Sequence, residues 1–156
     1  MIRMEMQDGG VVKIELDPKA APITAANFEK LVKEGFYDGL TFHRIIPGFM
    51  VQGGDPLGTG MGGSSETIRG EFAANGVNNP ISHKRGVISM ARSSYPNSAS
   101  SQFFIMHDDG EFLDGNYAAF GRVVDGMDVI DRIAATPTGA NDRPKTPVVI
   151  AWMTVE

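Results

Sequence analysis

The chain has 156 residues, 42% hydrophobic and 21% charged, with a formal net charge of −5; it reads as one soluble domain over residues 1–156 with enough surface to bury a core. Mixed, slightly acidic charge lacks the clustered basic face that nucleic acid demands. No cysteine is present, which excludes disulfides, a thiolate nucleophile and Cys-ligated zinc.

The first residues, Met1-Ile2-Arg3-Met4-Glu5, put charges where a signal peptide needs an apolar stretch, and no apolar run reaches membrane-spanning length. A cytoplasmic protein without a membrane segment is expected. Ile2, Met4 and Met6 alternate with Arg3, Glu5 and Gln7, and Val12, Ile14 and Leu16 with Lys13 and Glu15. The intervening Asp8-Gly9-Gly10 supplies positive φ, so a β-hairpin is predicted.

From Pro22 to Glu34 the period changes: Phe28, Leu31 and Val32 share a helical stripe, with Pro22 suited to the first turn and Gly35 to the stop. Short strand-like runs follow at Thr41–Ile46, Met50–Gly53, Val87–Ala91, Gln102–Met106, Ala118–Val124 and Val148–Val155. A second helix is predicted from about Gly126 to Ala134, where Met127, Ile130, Ile133 and Ala134 line one side. With the first hairpin the strands number eight, punctuated by 19 glycines and 9 prolines, as the turns of an all-β barrel require.

Gly58-Thr59-Gly60-Met61-Gly62-Gly63 matches G-x-G-x-x-G in form. It follows Pro56, opens no helical pattern and has no acid near Asn78 and Asn79, so it reads as a glycine-rich surface loop and not a dinucleotide cradle. His43, His83 and His107 show no metal-ligand spacing, and His107-Asp108-Asp109 beside Gly110 reads as a solvated turn. No G-x-S-x-G elbow accompanies the many serines. No cofactor and no metal are expected.

Two segments stand out. In His43-Arg44-Ile45-Ile46-Pro47-Gly48-Phe49-Met50-Val51-Gln52, an arginine sits within an apolar run and a Pro-Gly turn precedes apolar residues and a glutamine. In Ser101-Gln102-Phe103-Phe104-Ile105-Met106, a glutamine stands beside two aromatics. Taken singly, each admits a plain reading: Arg44 on the solvated face of an edge strand, the apolar residues in the core. Phe112-Leu113 adds an apolar pair before a turn, whose exposure is costly unless it lines a pocket.

In order along the chain, these segments resemble the cyclophilin family. The anchors are Ala21-Pro22, Asn27-Phe28, Tyr37 to Ile46, Phe49 to Asp55, Gly58-Thr59-Gly60, Gly86 to Ala91, Ser101 to Ile105, Leu113-Asp114-Gly115 and Phe120-Gly121. The resemblance implies a closed eight-stranded antiparallel β-barrel capped by two α-helices, with the active groove on its outer face. It implies a cofactor-independent peptidyl-prolyl cis-trans isomerase that assists folding of proline-containing clients, working as a monomer. A non-catalytic module holding proline peptides in the same groove is the alternative.

By position, Arg44 looks like the catalytic arginine, and Phe49, Met50, Phe104 and Leu113 like the walls of the proline pocket. Gln52, Ala91, Arg92 and Gln102 resemble peptide-holding positions, and Gly58 to Gly63 the rim of a second, shallower pocket. His43 is expected at the groove, holding it through hydrogen bonds. Phe112 stands where many members carry tryptophan, so weak cyclosporin binding is expected because phenylalanine has no indole N–H. Tyr117 stands where many have histidine and keeps an aromatic wall with a polar tip. Arg92 replaces a common asparagine, and Ser93–Tyr95 is one residue longer than usual.

The residue types suit the chemistry. An amide resists rotation because its C–N bond has partial double-bond character, with a barrier of ~18–20 kcal/mol. On twisting, the lone pair returns to nitrogen, and a donor aimed there binds the twisted form better than the flat one. Arginine supplies a permanent charge and a rigid fork of N–H groups.

Overall fold

The chain enters as a hairpin because alternation and turn chemistry agree. β1 (Ile2–Met6) pairs with β2 (Val11–Leu16), and Gly9 turns between them at φ 94°. Ile2, Met4, Met6, Val12 and Ile14 are buried, as their spacing requires. The computed structural model describes residues 1–156.

α1 (Pro22–Lys33) starts at Pro22 and buries Thr24, Ala25, Phe28, Leu31 and Val32. Its first turn has no local side-chain cap. The buried Glu71 substitutes, accepting from Thr24 N at 2.6 Å and Thr24 Oγ1 at 2.7 Å, so a distant carboxylate satisfies the helix start.

β3 (Phe42–Ile46), β4 (Met50–Gly53), β5 (Val87–Met90), β6 (Phe103–Met106), β7 (Ala119–Asp125), α2 (Met127–Ala134) and β8 (Ile150–Val155) complete the regular elements. The sheet runs β3-β4-β6-β5-β7-β2-β1-β8, antiparallel throughout. Its two edges meet at a single bridge, Thr41 to Val149, flanked by Phe42 N donating to Val148 O at 3.0 Å and Ile150 N to Leu40 O at 2.8 Å. The expected eight strands and two helices are thus present, as a curled sheet joined at its edges by a short contact in place of a full ladder. No helix is long and apolar enough to cross a membrane.

Alternation sends β6 side chains to two different cores. Phe103 and Ile105 join Phe28, Tyr37, Phe42 and Phe120 inside the curl. Phe104 and Met106 face outward with Met50, Val87, Leu113 and Ala119. The interior is packed with rings: Phe28 meets Tyr37, Phe103 and Phe120 at centroid distances of 5.1, 5.5 and 5.1 Å. Tyr37 OH donates to Ser101 O at 2.8 Å. Met50, Phe104 and Leu113 of the outer cluster also line a cleft, so that cluster is where a ligand can sit.

Candidate active site

Register builds the site. Arg44 pairs with Gln52 across β3 and β4, Gln52 with Phe104 across β4 and β6, and Phe104 with Ser89 across β6 and β5. Residues opposite one another on neighbouring strands point to the same face. A guanidinium, an amide and a phenyl ring therefore form one row on the outer surface.

That row floors a cleft of ≈ 150 Å³ lined by Arg44, Phe49, Met50, Gln52, Ala91, Arg92, Phe104, Leu113 and Tyr117. Met50, Phe104 and Leu113 are buried beneath it. Tyr117 meets Phe104 edge-on at 5.8 Å. A second recess of ≈ 290 Å³ adjoins across Gln52, Ala91 and Arg92; Gly60, Met61, Gly62, Ser93, Ser98, Ser100 and Gln102 complete it.

The polar groups form a relay. Arg44 Nη1 lies 3.5 Å from Gln52 Oε1, a long contact. Gln52 Nε2 donates to Gln102 Oε1 at 2.9 Å. Gln102 Nε2 donates in turn to Gly60 O at 3.0 Å and Gly62 O at 2.7 Å. The loop carbonyls fix Gln102, which fixes the orientation of the Gln52 amide, leaving Gln52 Oε1 toward Arg44.

The loop is itself held from behind. Asp55, 1% exposed, accepts from the backbone N–H of Leu57 at 2.8 Å, Thr59 at 3.0 Å, Gly60 at 2.6 Å and Gly62 at 3.2 Å. Burial pushes this carboxyl upward, but the backbone donors outweigh it and hold it below the ordinary aspartate value. Gly62 lies so close to Asp55 and Leu57 that no Cβ fits there. This is why the segment is glycine-rich: its N–H groups converge on a carboxylate of the chain itself.

Under the hydrophobic half lies a second polar anchor. His83, stacked on Phe104 at 6.0 Å, donates from Nδ1 to Asp114 Oδ1 at 2.8 Å, since a carboxylate only accepts. Its Nε2 then accepts from Ser89 Oγ at 2.9 Å. Burial, the largest influence, lowers the His83 pKa against the opposing pull of Asp114. His107 takes the opposite tautomer, Nδ1 accepting from Gly48 N at 2.8 Å and Nε2 facing Asp131 at 3.1 Å. It thereby steadies the Pro47-Gly48 turn that presents Phe49.

Nine of the twelve expected residues meet in the cleft lining. Gln102 is next to them, in the adjoining recess and the relay. Two expectations are corrected. His43 lies outside the cleft: 7% exposed, with neither ring nitrogen hydrogen-bonded, it packs under the loop near Gly60 and holds the groove by shape and not by hydrogen bonds. Burial lowers its pKa, Asp55 pulls it up, and Arg143 and Arg44 push it down further, so it is held neutral. Phe112 is 73% exposed and absent from the lining; its ring rests on Phe49 at 5.5 Å, at the outer rim.

Sequence reading gave Asp55, His83 and Asp114 no role. Asp55 had a legible signal, an acid just ahead of a glycine run whose N–H groups can form an anion nest. His83 had none, because Asp114 lies 31 positions away.

Comparisons with known proteins identify the family of the fold that carries this site. Residues 1–155 match the family model described as cyclophilin type peptidyl-prolyl cis-trans isomerase/CLD. The chain is 50% identical over 123 residues to peptidyl-prolyl cis-trans isomerase B of Bacillus subtilis, covering 79% of this chain and 82% of that protein. It is 45% identical over 152 residues to a peptidyl-prolyl cis-trans isomerase of Schizosaccharomyces pombe, covering 96% of each. A Cryptosporidium parvum cyclophilin-type isomerase, crystallised in the presence of the dipeptide Ala-Pro, superposes with a TM-score of 0.90 at 32% identity, covering 99% of this chain and 98% of that one.

Proposed function

The chain belongs to the cyclophilin-type peptidyl-prolyl cis-trans isomerase family and is a peptidyl-prolyl cis-trans isomerase; from that premise we propose that Arg44 is its catalytic residue and that the ≈ 150 Å³ cleft holds the proline ring. One observation carries this reading: the register that places Arg44 beside Gln52 and Phe104, cation against apolar slot. The Ala-Pro associated with the Cryptosporidium relative supports a proline-bearing peptide as the occupant here.

The mechanism follows from what the cleft contains. Phe49, Met50, Phe104 and Leu113 grip the pyrrolidine by its apolar surface and fix the proline half of the bond. Gln52, steadied by Gln102, and the backbone at Ala91 hold the preceding residue. As the bond twists, the proline nitrogen becomes pyramidal and basic, and an Arg44 N–H directed at it binds that state better than the planar one. No proton changes hands and no covalent intermediate forms. Residues 1–156 act as one domain in this reading.

Phe112 lacks a donor and sits at the rim, so cyclosporin binds weakly; Phe112→Trp strengthens it by about tenfold, one ordinary hydrogen bond. The decisive experiment is isomerisation of a short Ala-Pro peptide by wild type and Arg44→Ala. A fall of about 100-fold in kcat/KM, ~2.7 kcal/mol, with an unchanged circular-dichroism spectrum is expected. Equal rates remove Arg44 from the role.

A further inference from the structure

Arg92 is the one cation that lines both recesses, and it has no counter-ion. Its guanidinium is clamped between the rings of Phe72 at 4.8 Å and Tyr117 at 4.9 Å. Nε and Nη2 donate to Asn116 O at 3.0 and 2.8 Å, and Nη1 donates to Ser93 O at 2.9 Å and Ser94 O at 3.4 Å. All these acceptors are neutral carbonyls. No carboxylate lies within ion-pair distance of Arg92 or of Arg44. Of the five guanidinium N–H groups, one on Nη2 has no partner in the chain.

The surroundings extend this asymmetry. The linings of the two recesses contain two arginines and no aspartate or glutamate, on a chain of net charge −5. The carboxylates behind them are both engaged within the chain, Asp55 by loop N–H groups and Asp114 by Ser82 and His83. Arg143 adds a further cation without an ion pair on the same loop, donating to Gly58 O at 2.7 Å. In the second recess, Ser100 offers a hydroxyl that engages nothing else in the chain. The recess is therefore small, hydroxyl-lined and positive, with a rigid N–H edge at its boundary with the proline cleft.

We propose that this edge reads an acidic side chain on the substrate, so that the enzyme prefers proline peptides with a glutamate or aspartate within about two residues of the X-Pro bond, because the two recesses share Gln52, Ala91 and Arg92 and an extended chain advances only about 3.3–3.6 Å per residue. The inference rests on the cleft being the proline site. Two rings pack against the guanidinium and four of its five N–H groups are engaged, so one charged N–H on Nη2 is what a substrate can reach, and a carboxylate is the acceptor that such a donor holds most strongly. The attraction is a partly exposed ion pair, so its expected effect is about fivefold in kcat/KM.

The test is a set of alanine-rich peptides with one Ala-Pro bond, carrying Glu or Gln at single positions on either side of it. At one position Glu exceeds Gln by about fivefold at low salt, and the ratio falls toward one in ~0.5 M NaCl, where screening is short-ranged. In Arg92→Gln the ratio also falls to one, whatever happens to the absolute rate. A ratio below about twofold at every position overturns the inference, as does a preference that salt or Arg92→Gln leaves intact. The salt series needs no variant, so it decides the question even where Arg92→Gln folds poorly. The parent peptide separates the two levels: no turnover of it refutes the proline-site reading, whereas normal turnover without a Glu preference refutes only the acidic one.

Discussion

Replacing Asp55 by alanine removes one acceptor shared by the backbone N–H groups of four loop residues, Leu57, Thr59, Gly60 and Gly62. A hydrogen bond to a charged group contributes ~1.5–3 kcal/mol, but the loop is exposed and its N–H groups regain water on opening, so about 3 kcal/mol for the whole set is the reasonable sum. For a chain of this size that lowers Tm by ~6–12 °C. Freed from Asp55, Gly60 and Gly62 cease to hold Gln102, and Gln52 loses its orientation; a further cost of one ordinary hydrogen bond in the transition state is about tenfold in kcat/KM. Thermal melts, amide exchange at Gly60 and Gly62, and peptide isomerisation read the three effects. Asp55→Asn keeps one acceptor oxygen and falls between. The pH dependence adds an independent arm. The depressed carboxyl contributes stability that is fully present above the unfolded value of ~3.9 and lost as pH falls through the folded one, so the gap between wild type and variant narrows as the pH falls below the unfolded value. A Tm within about 1 °C of wild type, together with unchanged exchange at Gly60 and Gly62, refutes the reasoning.

Two further outcomes are expected. Gly54 has φ 88°, and a Cβ there would meet Ser101 O at 2.6 Å; Gly54→Ala lowers stability by about 2–3 kcal/mol in chemical denaturation, from strain and displaced backbone together. The cleft lining holds no histidine and no carboxylate, and burial holds His43 and His83 below the ordinary histidine value. The pH profile of kcat/KM is therefore flat from about 6 to 8, whereas stability is constant above the unfolded histidine value near ~6.5 and declines as pH falls from there toward the folded values, because the unfolded chain binds the protons. A bell-shaped activity profile centred in that range would bring His43 into the chemistry.

The fold was legible where local and global preferences coincide. The hairpin at Asp8-Gly9, the Pro22-started helix and every strand were readable because alternation, turn residues and helix stops agree. The row proposed as catalytic was readable only through family resemblance: an arginine on an edge strand and a buried phenylalanine both have ordinary explanations, and only pairing across three strands brings Arg44, Gln52 and Phe104 to one face. Glu71 at the start of α1 and Asp114 beneath His83 act over 47 and 31 positions, and no local pattern encodes such partners. His43 misled because its neighbour is Arg44: adjacent residues on a strand point to opposite faces, so one enters the cleft while the other goes beneath the loop.

Arg44 cannot account for catalysis by itself. An acceleration of about 10⁵ requires ~7 kcal/mol, and a single charged hydrogen bond gives ~1.5–3 kcal/mol. Arg44 is also exposed on an open cleft, where Coulombic attraction is far weaker than in a dry interior. In the proposed mechanism the difference comes from the apolar wall, which would hold the ring while excluding water from one side of the guanidinium. Wall and charge are then coupled: truncating Phe104 both loosens the ring and hydrates Arg44. In a double-mutant cycle, Arg44→Ala combined with Phe104→Ala should cost less than the sum of the single losses, by about 1 kcal/mol or more. Phe104→Leu serves as a second arm that keeps the cluster of Met50, Val87, Met106 and Leu113 packed. Strict additivity in both arms would mean that the cleft's dryness does not strengthen the cation, and the missing energy would have to come from the residues that hold the chain before proline.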